Sequence, residues 1–210
     1  MAKTSAQNSP GPSVSPEPVQ AAPSPATNGR TDHSRFSNSW YNPGPRWKTV
    51  LWFLVSNATL NTYLPIPMSI KRGILKLFGA RLGHSVVIKP AVNVKYPWFL
   101  EVGDHVWIGE QVWIDNLSRV VIGSHVSLSQ GCMLLTGNHN YRRSTFDLTT
   151  QPITIEDGVW VGAKSIVCAG VVCGSHAVLS VNSVATKSLN AYGIYQGNPA
   201  NWIRERKIEA

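Results

Sequence analysis

Between Leu82 and Leu179 an aliphatic residue, once replaced by Cys173, returns every sixth position within groups whose register slips by two residues from one to the next, and this period restricts the fold more than anything else in the chain. The first group is Leu82, Ile88 and Val94, the second Val102, Ile108 and Ile114, the third Ile122, Leu128 and Leu134. After a longer gap the series resumes as Ile155, Val161, Val167, Cys173 and Leu179. A companion series lies four residues after each aliphatic: Val86, Val92, Val106, Val112, Ser118, Val126, Cys132, Val159, Ser165, Val171, Ala177 and Ser183. These are nearly all small or β-branched; Trp98 and Asn138 interrupt the series, each beside a register break. A period of six is neither the 3.6 of a helix nor the 2 of a strand. It fits a coil in which each unit is one short strand plus a turn, three units closing a rung. Stacked rungs pair strands in parallel and merge the inward side chains into one core. The expected fold class is therefore all-β, a parallel β-helix of hexapeptide repeats over residues 82–190. Spacing alone leaves its handedness open.

The flanks read differently. Residues 1–33 are rich in Pro, Ser, Ala, Asn and Gln, cannot bury enough apolar surface to offset ordering entropy, and are expected to be disordered. Residues 34–81 bring an aromatic cluster (Trp40, Tyr41, Trp47, Trp52, Phe53) and then a helical pattern after Pro67, ending near Gly79. Ile70, Ile74, Leu75, Leu77 and Phe78 recur at helical spacing among Lys71, Arg72 and Lys76. The preferred reading is an N-terminal helical cap over the open end of the coil. The other is a basic amphipathic element in peripheral contact with a membrane. Residues 191–210 form a C-terminal segment expected to contain a short helix.

Composition narrows the functional classes. The chain is 43% hydrophobic and only 14% charged, with 17 Gly and 14 Pro, which suits a turn-rich β fold. A net charge of +8 favours anionic partners, but no recognised nucleic-acid motif accompanies it, so no nucleic-acid partner is expected. Cys132, Cys168 and Cys173 show no C-x-x-C pairing and occupy or adjoin repeat positions, so reduced core thiols are expected rather than a metal or disulfide framework. No secretory pattern opens the chain, and the longest apolar run, Val50 to Val55, falls far short of the ~20 residues that span a bilayer. A cytoplasmic protein is expected, at most touching the inner face of the membrane.

The histidines sort themselves by register. His105, His125 and His176 all lie three residues after an aliphatic, and His84 lies two after one, so they read as solvated corners. His139 stands outside the register, at the mouth of the insertion, residues 135–154, between Leu134 and Ile155. Departures from a repeat are places the scaffold does not require, and function gathers there. Unperturbed imidazole titrates near ~6.5 and can accept a hydroxyl proton at cellular pH. From register alone, an ordinary loop histidine remains an equal alternative.

The segments I-G-S-H-V-S-L (122–128), E-D-G-V-W-V-G-A-K-S-I-V (156–167) and G-N-P-A (197–200) resemble the left-handed β-helix hexapeptide acyltransferases. The stretch Y-P-W-F-L-E-V-G-D-H-V-W-I-G-E-Q-V-W-I-D-N (96–116) and T-G-N-H-N-Y (136–141) resemble the colanic acid biosynthesis acetyltransferases in particular. The likeness spans roughly residues 38–206. It implies left-handed coiling, a homotrimer with the site between subunits, acetyl-CoA as co-substrate without a metal, and a sugar or lipid-linked glycan acceptor. It implies His139 as catalytic base, and the backbone N–H of Ala163 as oxyanion donor. Asp115, Asn116, Asn138 and Tyr141 become acceptor-binding candidates. Trp160, Gly162, Ala163, Thr186, Lys187 and Arg204 become cofactor-binding candidates, with Arg206 and Lys207 beside them. Gly162 reads equally well as a plain turn glycine, and Asp115 as a solvated corner. Two departures bear on the cofactor groove: Ser180–Val181–Asn182–Ser183 replaces A-A-G-S, and Asn201 replaces a basic residue after G-N-P-A. Competing classes are a zinc hydratase, for which no second ligand follows His139 through Ser144, and a catalytically silent assembly protein.

Overall fold

The computed structural model describes residues 29–209, so the expectation for residues 1–33 falls almost wholly outside the described part. From Leu82 onward the six-residue units become three ladders of very short strands. The first face carries Arg81–Leu82, Leu100–Val102, Val120–Ile122, Ile153–Ile155 and Val172–Cys173. The second carries Val87–Ile88, Trp107–Ile108, Ser127–Leu128, Trp160–Val161 and Val178–Leu179, extended by Gly193–Gln196 and Asn201–Glu205. The third carries Asn93–Val94, Trp113–Asp115, Met133–Leu135, Ile166–Val167 and Val184–Ala185.

Pairing is parallel throughout the coil, and the aliphatics stack in register. Leu82 pairs Val102, which pairs Ile122; Ile88 pairs Ile108, which pairs Leu128; Val94 pairs Ile114, which pairs Leu134. The insertion is skipped cleanly, because Ile155 rejoins the ladder opposite Ile122 and Val161 opposite Leu128. From Ile88 on, the inward aliphatics are buried, as is the companion series. Ser118 is the exception, half-exposed where the register slips. Burying this column of branched side chains is the main stabilising term of such a coil.

The corners have a backbone signature. Away from the register breaks, the residue three after the aliphatic adopts a left-handed conformation: His105, Gln111, His125, Lys164, His176 and Asn182 all have φ between 55° and 60°. The histidines of the repeat are therefore corner residues, His105 stacked on His125 at 5.1 Å between centroids and His176 on Tyr192 at 4.9 Å. Asn182 keeps its corner despite the departure from the family sequence, because Asn tolerates this region better than most residues.

Both ends of the coil are closed. At the start lie α1 (Arg46–Thr59) and α2 (Met68–Leu77). Lys71 is buried and donates to the carbonyls of Ile88 and Lys89 at 3.2 and 3.3 Å, while Arg72 donates to that of Val86 at 3.2 Å. Lys71 and Arg72 of α2 thus face the coil while Lys76 is exposed, and the helix serves as the cap. At the other end the expected short helix is absent. Gly193–Gln196 and Asn201–Glu205 form an antiparallel pair, because the Gly197 turn at φ 104° reverses the chain and continues the second face. Arg206 then donates to the carbonyls of Gly158 and His176 at 2.9 and 3.1 Å.

Candidate active site

The insertion is not an irregular loop at its base. Gly137–His139 and Leu148–Thr150 form an antiparallel pair with His139 opposite Leu148. Its tip is closed by the Asn140 N–H to Asp147 carbonyl bond at 2.8 Å and an exposed Arg143–Asp147 ion pair. His139 sits at the loop end of this strand pair, half-buried, its ring stacked on Phe146 at 4.4 Å and 10°. Its Nδ1 lies 2.9 Å from the Phe146 carbonyl oxygen. A carbonyl only accepts, so Nδ1 carries the hydrogen, and in the neutral ring the lone pair falls on Nε2. That tautomer is the one a general base needs.

A cleft of about 420 Å³ opens beside the ring. Its floor is Asp115, Leu117 and Gly137, and one wall holds Lys95 and Tyr96. Phe36, Asn38 and Tyr41 form the opposite wall, from the segment ahead of α1. That segment is strapped across the hairpin: Asp32 N–H bonds to the Ser144 carbonyl at 2.8 Å, and His33 packs edge-on to Phe146. Tyr41 Oη donates to the Leu117 carbonyl at 2.7 Å. Burial, then the neighbouring Tyr96 and Asp115, holds the Tyr41 phenol far above its usual range; burial also raises the Tyr96 phenol. Both phenols therefore remain donors rather than bases. Lys95 Nζ stands 2.9 Å from Asp115 Oδ1 and neutralises that carboxylate at the floor.

The candidate residues divide. His139, Asp115 and Asn138 share the cleft, and Asn138 Oδ1 also accepts from the His139 N–H at 2.8 Å. Asn116 is not among the residues that line the cleft. It is fully buried, accepting from the Tyr96 N–H at 3.0 Å and donating to the Tyr96 carbonyl at 2.6 Å, so its amide bridges two rungs. Tyr141 is 74% exposed and lies off the cleft lining. Reading the sequence missed Phe36, Asn38, Lys95 and the Phe146 carbonyl. Lys95 had a signal, since it follows Val94 where glycine or an acid often follows the aliphatic.

The cofactor candidates lie elsewhere; none lines the His139 cleft. Trp160 is half-exposed on the second face, its Nε1 donating to Ser129 Oγ at 2.9 Å, beside a groove of about 370 Å³ shared with Trp107 and Lys89. At the corner between the second and third faces, the N–H groups of Glu110, Gln130, Ala163 and Val181 make no hydrogen bond among the described residues. Ala163 thus offers a free donor. Thr186 and Lys187 are exposed just past Val184–Ala185, and Arg204 is exposed in the terminal strand rather than on a helix. Arg206 donates from Nη1 to two carbonyls, which fixes the guanidinium against the corner of the coil.

Gly162 is explained by the coil. A Cβ there would stand 2.6 Å from Val181 N and 2.8 Å from Leu179 O of the next rung, as one at Gly109 would meet Leu128 O at 2.8 Å. Gly162→Ala is therefore expected to cost about 1–3 kcal/mol of stability through overpacking. In urea unfolding its midpoint should fall, while the folded fraction keeps its KM for acetyl-CoA; a raised KM at unchanged stability would return the glycine to the cofactor groove.

An acyl-cysteine route is disfavoured, because burial pushes the Cys132 and Cys173 thiols up to about 12, and Cys168 in the same direction. Among the described residues no group of three His, Cys, Asp or Glu side chains is placed to hold a metal ion.

No family model matches the chain. Its relatives place it nonetheless. The chain belongs to the hexapeptide-repeat acetyltransferases. It is 37% identical over 167 residues to WcaF of Escherichia coli strain K12, assigned as a colanic acid biosynthesis acetyltransferase, covering 79% of this chain and 91% of that protein. The galactoside O-acetyltransferase of the same organism is 26% identical over 144 residues, 67% of this chain and 71% of that one. Among solved structures, a hexapeptide-repeat acetyltransferase of Vibrio cholerae superposes with a TM-score of 0.70 at 23% identity, covering 79% of this chain and 96% of that chain. The same protein complexed with acetyl-CoA gives 0.68 at 24%, over 78% and 87%. At that identity the structures speak for the fold.

Proposed function

We propose that the protein moves an acetyl group from acetyl-CoA to a hydroxyl of a sugar acceptor, with His139 as general base. The supporting observation is the His139 ring, held at Nδ1 by the Phe146 carbonyl with Nε2 left over, beside a cleft walled by aromatic and polar groups. Nε2 takes the acceptor's proton as its oxygen attacks the thioester carbonyl. The tetrahedral oxyanion is held by a prepositioned N–H, for which Ala163 is the candidate. Collapse expels the CoA thiolate, which recovers the proton from the imidazolium. No covalent enzyme intermediate is formed.

Base and oxyanion donor occupy different corners of one chain, so the reading includes a homotrimer in which one subunit's corner faces its neighbour's cleft. Trp160, Thr186, Lys187 and Arg204 would then line the CoA side, and Asp115 and Asn138 the acceptor side. Membership beside WcaF supports a role in exopolysaccharide biosynthesis, with a sugar or lipid-linked glycan as acceptor. Three unpaired cysteines support a reducing, cytoplasmic setting, and no described helix is long and apolar enough to cross a membrane.

The test is thiol release from acetyl-CoA over a panel of soluble glycans, run on protein whose mass is measured by light scattering. Acceptor-dependent release by a species three times the 23.0 kDa chain mass is expected. If acetyl-CoA binds but no glycan accelerates release, the sugar assignment fails; a fully active monomer removes the trimer.

A further inference from the structure

Helix α1 is amphipathic the wrong way round for a helix packed on a core. Toward the coil it turns Trp52, which is buried, with Lys48, Thr49, Val55, Ser56 and Thr59, all half-buried. The Lys48 ammonium is parked 4.4 Å from the Trp98 ring centroid. Away from the coil it presents Trp47, Val50, Leu51 and Leu54, at the i, i+3, i+4, i+7 spacing of a single stripe. Trp47 is 67% exposed, Val50 59%, Leu54 60% and the flanking Phe53 65%. An aliphatic and aromatic stripe of this kind marks a surface that is covered in use.

Residues 1–28 have few large apolar side chains to offer such a stripe, only Met1, Val14 and Val19. Charge says more about the occupant. Between Asp32 and Glu101 the chain contains no acidic residue at all, while Arg35, Arg46 and Lys76 lie exposed in or around the helices. A protein partner would be free to choose either sign. A surface stripped of carboxylates over this whole stretch, carrying an interfacial tryptophan and cations at its margin, matches an anionic bilayer. We infer that α1 docks on the surface of an anionic lipid bilayer, burying the Trp47–Leu54 stripe among the acyl chains without crossing them. The membrane element is then α1, not α2, whose Lys71 and Arg72 are consumed by coil carbonyls. This does not depend on the acetyl-transfer reading.

The experiment is co-sedimentation of the full chain with vesicles of phosphatidylglycerol and phosphatidylethanolamine, beside vesicles of phosphatidylcholine alone. The wild type is expected to pellet with the anionic vesicles at least tenfold more than with the zwitterionic ones. Leu51→Glu with Leu54→Glu should lower anionic-vesicle partitioning at least tenfold, with unchanged circular dichroism, light-scattering mass and turnover of a soluble acceptor. The proposal is overturned if the wild type stays in the supernatant, or if the double variant pellets like it. It is equally overturned if the variant drops to a smaller oligomer while lipid binding persists, since a second copy of the chain would then own the stripe.

Discussion

The His139→Ala protein is expected to turn over acetyl-CoA and acceptor about 10²–10⁴-fold more slowly in kcat, the range a positioned general base supplies. That corresponds to about 3–5 kcal/mol of transition-state stabilisation. KM for acetyl-CoA should hardly move, because no cofactor candidate shares the cleft with the imidazole. His139→Asn sharpens the test, since its amide can still donate to the Phe146 carbonyl but cannot take a proton. It should be as slow as the alanine variant. A kcat within threefold of wild type for either protein would remove His139 from the chemistry, whatever became of the fold.

The second large effect concerns stability. Trp52→Ala should cost about 3–5 kcal/mol, as deletion of a large buried aromatic does. Trp52 is 2% exposed, its ring meets Phe78 at 5.0 Å, and its Nε1 donates to the Val94 carbonyl at 2.8 Å. This residue ties α1 to the third face, so truncation leaves a cavity and an unpartnered carbonyl together. Trp52→Phe keeps most of the packing and should cost about 1–2 kcal/mol, the part due to the lost hydrogen bond. Urea unfolding followed by circular dichroism checks both; a midpoint unchanged in Trp52→Ala would mean that α1 is not anchored through this side chain.

The coil was legible because its physics is periodic. Ile108 or Val161 can point inward only if its neighbours six residues away do the same, so the pattern is written redundantly along the chain. The skip from Leu134 to Ile155 was readable for the same reason, as the ladder must resume in phase. Ends and insertions have no such redundancy. The segment after Gly193 carries Arg204, Arg206 and Lys207, compatible with a helix by composition, yet pairing with the open edge of the second face made it a strand. Around His139 the imidazole itself was visible as an out-of-phase residue. Its partner was not, because the group that orients it is the main-chain carbonyl of Phe146, which every residue possesses. Asn116 carries a structural task that its type alone does not reveal: its amide bridges Tyr96 to the next rung at the register break.

The sealed ends of the coil carry a consequence for how copies of the protein can meet. An open parallel ladder is a template, and identical chains could append rung upon rung into a filament. Here Lys71 and Arg72 occupy the carbonyls at one terminus, and the reversed strand pair with Arg206 occupies the other. Both poles of the ladder thus carry added chain, which hinders end-to-end stacking of identical rungs, and any contact between copies falls to the flanks of the coil.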